Sequence, residues 1–361
     1  MAVQVTRADV LGSRVRAHQL DRTAGTLADT GVLDLGVQDT GAEAARWALA
    51  VRGLDDVPAG DLALVWTLRG APHVYRRADL LGVVAATAPF SEADAAKRVF
   101  DGARPLRAAG TPVLTALDTM ASAMREIVAA PTVKGEMSRR LTERMDAPYL
   151  RACRPCNAVH VYEQTFRLAA LRAGLELQPG TSPPVLQPVP GLVPVTEVPA
   201  HLDVVRGYLR LHGPATPQQV AAYLDAPVRD VRAHWPDDAV EVQVDGKPRW
   251  ALAADADRLG AGPARTTRLL GPFDPYLQTR DRALLVPDPA HAADLWRTLG
   301  RPGAVLVDGE VAGTWRPRKA GRRLTVQVDP WRDVPAAALA AEAERLAAVR
   351  GTELAGLAVG G

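Results

Sequence analysis

Three adjacent polar residues, Gln38, Asp39 and Thr40, stand just ahead of a helical pattern in the run GVQDTGAEAARWALAVR, residues 36–52. A glutamine can orient a water through its side-chain carbonyl, and a carboxylate can polarise that water or face a developing positive charge. Apolar positions at Ala44, Ala45, Ala48, Leu49 and Val51 recur at helical spacing, so a helix is expected to begin directly after the polar triplet. Thr40 and Glu43 have the spacing of a capping box, in which the threonine hydroxyl takes the Glu43 amide and Glu43 reaches back. Gln38 and Asp39 would then lie in a loop at the helix mouth, where side chains can face a ligand. Capping is the expected duty of Thr40. For Asp39, capping and chemistry stand as equal readings. Capping gives no reason for a glutamine at position 38.

The elements that must hold these residues are marked by punctuation. Residues 1–130 read as mainly helical, with short strands near LALVWTLRG and HVY. Met137 to Arg144 and Thr165 to Gly174 are further helices. Between Gln178 and Ala200 seven prolines forbid a helix and favour extended backbone, as a linker or an edge strand. A cleaner pattern follows. HLDVVRGYLRLHG is an amphipathic helix ended by Gly213, and Thr216 caps a second helix with Pro217 in its first turn. Pro227 to Trp235 form a third. EVQVDGKPRWAL then alternates around Asp245-Gly246, the signal of a hairpin. Three helices and a hairpin make a winged helix-turn-helix, with Arg229 and Arg232 on the recognition helix and Lys247 and Arg249 on the wing. Valine-rich strands meet at Asp308-Gly309 and at a basic turn from Arg316 to Arg323, and Ala337 to Val349 form a closing amphipathic helix. Arg316, Arg318, Lys319, Arg322 and Arg323 suit phosphates, although a solvated charged hairpin would look almost the same.

Composition narrows the classes. A chain of 361 residues can bury a sizeable core in two or three domains. The formal net charge is +2, so there is no overall bias toward a polyanion. Of 43 basic residues only Lys97, Lys134, Lys247 and Lys319 are lysines; the rest are arginines, which suit bidentate phosphate contacts. No apolar signal-like stretch opens the chain and no run reaches the length of a membrane span, so a cytoplasmic, nucleoid-associated location is expected. Cys153-Arg-Pro-Cys156, followed by His160, has a metal-like spacing. A structural zinc takes four ligands, and no second cysteine pair or further histidine completes the set, so no metal is expected. A reversible disulfide lacks the βαβ context of redox C-x-x-C motifs. The expectation is two thiols near the ligand-facing surface. The sequence holds no Walker A loop, G-x-G-x-x-G, H-E-x-x-H or G-x-S-x-G, which removes nucleotide-dependent, zinc-protease and serine-hydrolase readings.

The polar triplet and its helix resemble the QxQ motif of the winged-helix DNA glycosylases of the azinomycin-resistance (AlkZ) type, roughly GLQAQ-D-P-x-x-A-R-x-A-L-x-x-R. Gln38, Ala45-Arg46, Ala48-Leu49 and Arg52 match; Thr40 stands where the family has its second glutamine. Four more segments are similar and fall in the family's order: WTLRGAPHVYRRADL, HGPATPQQVAAYL, LLGPFDPYLQTRDR and LVDGEVAGTWR. The resemblance implies an α+β fold with tandem winged helix-turn-helix motifs and a β-rich C-terminal domain. The expected division is 1–130, an N-terminal winged-helix-like domain carrying the Gln-Asp-Thr motif; 131–200, a second winged-helix-like region with the proline-rich connection; 201–256, the winged helix-turn-helix; and 257–361, the β-rich domain. It implies a monofunctional glycosylase that hydrolyses the N-glycosidic bond of alkylated or bulky-adduct purines in double-stranded DNA, as a monomer, with no metal, nucleotide or other cofactor. Gln38, Asp39 and Thr40 are the candidate catalytic residues. Arg69 and His73, in RGAPH, become candidate DNA contacts, against the alternative of a satisfied structural histidine. Asp274 and Asp281-Arg282 read as ion pairs bracing the C-terminal domain. Because Thr40 replaces a glutamine, a non-catalytic winged-helix DNA-binding regulator is the alternative, and a winged-helix protein-interaction module a third.

Overall fold

The computed structural model describes residues 3–41, 43–192, 195, 197–262 and 264–360. It is a mixed α and β architecture in two compact units interleaved along the chain. The first takes residues 1–57, 205–220 and 235–361; the second takes 58–204 and 221–234. The segment 201–256 therefore contributes to both.

The first unit is built on a five-stranded sheet in the order Thr267–Leu270, Gly303–Val307, Glu310–Ala320, Arg323–Pro330 and Glu353–Val359. Its strands are antiparallel except the last, which runs parallel to Arg323–Pro330 after a crossover through the helix Ala336–Val349. The expected hairpin at Asp308-Gly309 forms: both residues take positive φ, 52° and 87°, as a two-residue turn between twisted strands requires. The sequence pattern stops at the closing helix; the strand after it, TELAGLAVG, was not expected, because one short apolar run carries no period of its own. A second sheet joins Val3–Val5, parallel, to the hairpin Ala239–Val244 and Lys247–Leu252, whose Asp245-Gly246 turn also has positive φ at both positions. Ala215 pairs with Trp250 beside it. The core draws on Val10, Leu11, Val15, Trp47, Leu269, Tyr276, Trp315, Leu339 and Leu346.

In the second unit the strands run in the order Pro72–Arg76, Leu62–Trp66, Leu175–Leu177, Val185–Pro188 and Thr132–Val133, all antiparallel to their neighbours. The proline-rich segment thus supplies an interior strand, with Pro183 and Pro184 ahead of it and Pro188 at its end. The helix Val113–Ile127 buries Val113, Ala116, Leu117, Met120, Ala121, Met124 and Ile127, a stripe at spacings of three and four. It has no side-chain cap of its own. The carboxylate of Glu92 accepts the Val113 and Leu114 amides instead, at 2.5 and 3.0 Å. Lys134–Arg144 and Glu163–Arg172 are helices, as the pattern predicts.

The helices Val204–His212, Pro217–Leu224 and Val228–Ala233 precede the Ala239–Leu252 hairpin in the expected order. Thr216 and Gln219 form a reciprocal box at the second helix: the Gln219 amide donates to Thr216 Oγ1 at 3.3 Å and the Thr216 amide to Gln219 Oε1 at 2.8 Å. No helix of the described residues is long and apolar enough to cross a membrane.

Candidate active site and nucleic-acid interface

The polar triplet ends the two-residue strand Val37–Gln38, and the helix Ala44–Ala50 follows. The Thr40–Glu43 capping box does not form. Glu43 itself occupies the N-cap position, in left-handed backbone at φ 55°, and makes no side-chain cap hydrogen bond. Gly41, at φ 101°, supplies a conformation closed to residues with a Cβ and turns the chain between Thr40 and the helix. The cap comes from further back: Asp39 Oδ1 accepts the Ala45 amide at 2.9 Å. Thr40 is used otherwise. Its Oγ1 accepts Nε2 of Gln38 at 2.9 Å. The side-chain carbonyl of Gln38 then has no hydrogen-bond partner among the described residues. All three side chains are half-buried.

Burial pushes the Asp39 carboxyl above its ordinary value, and the charge of Glu43 adds to that; the Ala45 and Ala44 amides pull the other way. The carboxylate thus sits against the unsatisfied amides of a helix start, where negative charge is favoured.

The helix that carries this motif is anchored by buried polar contacts. Trp47 is buried and its Nε1 donates to the Leu269 carbonyl at 2.6 Å. Arg52, fully buried, grips Asp274 with two hydrogen bonds of 2.9 and 2.8 Å and also donates to the Ala48 and His18 carbonyls. Asp274 caps Tyr276 as well. Asp281 is held by Arg14 at 3.4 Å and Arg249 at 2.5 Å. The expected bracing by Asp274 and Asp281 is present, but Arg282 is not the partner of Asp281; its guanidinium lies over the Trp296 ring.

The expected phosphate contacts fall into distinct groups. In the first unit, Arg318, Lys319, Arg322 and Arg323 are exposed on the long ribbon Glu310–Ala320 and Arg323–Pro330, around its tip at Gly321. Arg318 donates to Gln327 at 2.7 Å, and Arg316, half-buried, to the Gly300 carbonyl at 2.6 Å. Lys247 is exposed beside its turn, whereas Arg249 is committed to Asp281 and only 13% of its side chain is accessible. In the second unit, Arg229 and Arg232 are exposed on a helix of six residues. That helix is fixed by Ser91, which donates to Asp230 at 2.6 Å, and by stacking of Phe90 on His234.

Arg69 and His73 are structural in their surroundings. Arg69, in left-handed backbone at φ 58°, donates to the Tyr223 carbonyl at 2.8 Å and stacks on the Tyr223 ring. His73 is buried; its Nδ1 lies 3.0 Å from both Thr67 Oγ1 and the Ala71 carbonyl. Burial, and then the charge of Arg69, lower its pKa to about 3. It is a neutral ring inside the unit, so a direct contact with a phosphate from this position has no support in the geometry. Sequence reasoning held the cap from Asp39 as one of two equal readings and missed the hold of Thr40 on Gln38. Gly41 was the available signal.

Among curated proteins none matches this chain. The DNA glycosylase AlkZ of Streptomyces sahachiroi is similar in structure, over 99% of this chain and 100% of its own, with a TM-score of 0.75 and 21% sequence identity. That likeness speaks for the fold. The family model for DNA glycosylase AlkZ-like proteins matches residues 27–349, from ahead of the polar triplet to the end of the helix that follows the basic ribbon. This chain belongs to the AlkZ-like family of DNA glycosylases.

Proposed function

We propose that the chain hydrolyses the N-glycosidic bond of alkylated or bulky-adduct purines in double-stranded DNA, acting as a monomer without a cofactor, and that Gln38 orients the attacking water. The observation that carries this is the Gln38–Thr40 hydrogen bond, which turns the amide so that its carbonyl oxygen is left to accept from a water. An N7-alkylated purine is cationic and already a good leaving group. The protein then has to deliver water to the anomeric carbon and stabilise an oxocarbenium-like sugar. Thr40, in place of the family's second glutamine, serves as a positioning residue for Gln38. Asp39 combines two duties: it fixes the helix start and it brings negative charge to the place where the sugar becomes positive.

Winged helix-turn-helix motifs would carry the DNA. The segment 201–256 would be one such motif, and the regions 1–130 and 131–200 would supply two more. The ribbon bearing Arg318, Lys319, Arg322 and Arg323 is the strongest candidate for phosphate contact, since its cations are exposed and close together.

The test is single-turnover release of N7-methylguanine from duplex DNA, followed by alkaline cleavage at abasic sites and corrected for spontaneous depurination. Release faster than buffer supports the reading. Binding without release would favour a regulator that kept the scaffold and lost the chemistry through Thr40.

A further inference from the structure

The hairpin Leu150–Cys153 and Ala158–Val161, in the second unit, is not used by the reaction above. Its register pairs Cys153 with Ala158 and Arg151 with His160. Cross-strand partners and every second residue share a face, so Cys153 and His160 are diagonal neighbours on one side of the ribbon. The turn is tight: the Asn157 amide donates to the Arg154 carbonyl at 3.2 Å, with Asn157 in left-handed backbone at φ 49°. This brings Cys156 back over the strand ends. The two Sγ atoms and a ring nitrogen of His160 all lie within 4.8 Å of one another. The thiols are free. Judged by spacing, the motif lacks a metal's full ligand set; judged by geometry, two thiol sulfurs and an imidazole nitrogen lie close enough to share one ion.

The histidine is also prepared. Its Nδ1 is 2.8 Å from the Val161 carbonyl oxygen. A carbonyl only accepts, so Nδ1 is the donor in that contact, and Nε2 is the nitrogen left for a ligand bond. A backbone carbonyl holding the second ring nitrogen is the usual outer contact of a metal-ligating histidine. Nearby cations do not oppose the site strongly, because Arg151 pairs with Asp101 at 3.1 Å and Lys134 with Glu163 at 2.8 Å.

We propose that Cys153, Cys156 and His160 bind one zinc ion, with the fourth position left to a water, and that the ion staples this hairpin. Two thiolates and one imidazole suit Zn²⁺ in preference to oxygen-seeking cations. With zinc–sulfur bonds of about 2.3 Å, tetrahedral sulfurs sit roughly 3.8 Å apart, so closing the site needs only small side-chain rotations. Binding releases both thiol protons to solvent, nothing is oxidised or reduced, and the two thiolate charges balance the ion.

The test uses the full chain, kept reduced and purified without chelator. Zinc content measured by mass spectrometry should be about one ion per chain. The metal-free protein titrated with Co²⁺ should show a thiolate-to-cobalt charge-transfer band that saturates at about one equivalent and is bleached by Zn²⁺. Cys153→Ser with Cys156→Ser should abolish the band, and His160→Ala should weaken Co²⁺ binding by about tenfold or more. Circular dichroism of each variant separates lost ligands from lost fold, and the wild-type titration needs no variant. No retained zinc together with no charge-transfer band overturns the proposal. So does a band that survives the double substitution. A Cys153–Cys156 disulfide that forms readily, with no metal uptake after reduction, assigns the pair to redox chemistry instead.

Discussion

Gln38 and Thr40 hold each other across the intervening residue: the glutamine amide donates to the threonine hydroxyl at 2.9 Å. Asp39, between them, turns to the Ala45 amide. Three consecutive polar side chains are thus divided between orienting an amide and starting a helix. The capping duty that spacing gives to Thr40 is performed by its neighbour.

Thr40→Val should therefore leave stability almost unchanged, since the hydroxyl caps nothing, yet slow base release. One neutral hydrogen bond corresponds to a loss of about three- to tenfold. Thermal unfolding and single-turnover release on the same preparation check both halves. A drop in melting temperature with unaltered release would return Thr40 to a structural role.

Asp39 separates the same two functions in the other direction. Asp39→Ala removes the cap and should cost about 0.5–2 kcal/mol. Asp39→Asn keeps a good capping side chain but removes the charge, so it should preserve stability while lowering release if the carboxylate faces the sugar. Denaturant unfolding of the two variants beside wild type, with release rates, gives the answer. Normal release by Asp39→Asn would confine Asp39 to the cap.

Arg52 and Asp274 lie 222 positions apart, both fully buried, with two hydrogen bonds between them. Asp274→Ala would leave a buried guanidinium charge uncompensated and should cost about 3–5 kcal/mol. Chemical denaturation measures it; a loss under about 1 kcal/mol would mean that the pair does not brace the motif helix.

Both ends of that pair are visible in the sequence, Arg52 closing the first motif and Asp274 inside LLGPFDPYLQTRDR. Their joining is not, because nothing local encodes a contact at such separation. The hairpins at Asp245-Gly246 and Asp308-Gly309 were legible because their turns need residues tolerant of positive φ, and Asp-Gly is such a pair. The Thr216–Gln219 box was half legible: Thr216 reads as a cap, and Gln219 completes it. The Thr40 box fails since Gly41 and Glu43 both take left-handed backbone and delay the helix to Ala44. Arg249 reads as a wing cation by position, yet Asp281, from a distant segment, claims it. His160 belongs to the metal-like spacing already, but the hairpin register that folds it onto the face of Cys153 is not written in that spacing.

The exposed ribbon should govern salt dependence. If Arg318, Arg322 and Arg323 meet phosphates, the log–log slope of duplex affinity against salt should flatten by about 0.9 for each contact removed when they become alanine. Arg249→Ala should instead reduce stability, since it takes a partner from buried Asp281. Binding titrations over a range of salt separate the two, and an unchanged slope in the triple variant would exclude the ribbon.

Two of the buried histidines, His18 and His73, contribute to the response to acid. Burial lowers His73 to about 3 and holds His18 well below its ordinary value. The unfolded chain takes up protons below about 6.5 while the folded rings stay neutral, so stability present above that pH is lost as pH falls, in the case of His73 down to about 3. His73 contributes about 1.4 kcal/mol per pH unit in that window, and His18 acts in the same direction. Denaturation at a series of pH values should show the decline; a flat profile would contradict it.

The most direct measurement is single-turnover release of N7-methylguanine by Gln38→Ala beside wild type, with affinity for undamaged duplex measured in parallel. A side chain that acts on the transition state lowers the rate more than it weakens ground-state binding. Release should fall by on the order of 10²-fold, moderated by the ease with which the cationic base departs unaided, while affinity stays within about twofold. Equal release rates for Gln38→Ala and wild type, each well above buffer, would contradict the assignment of Gln38 as the residue that positions the water.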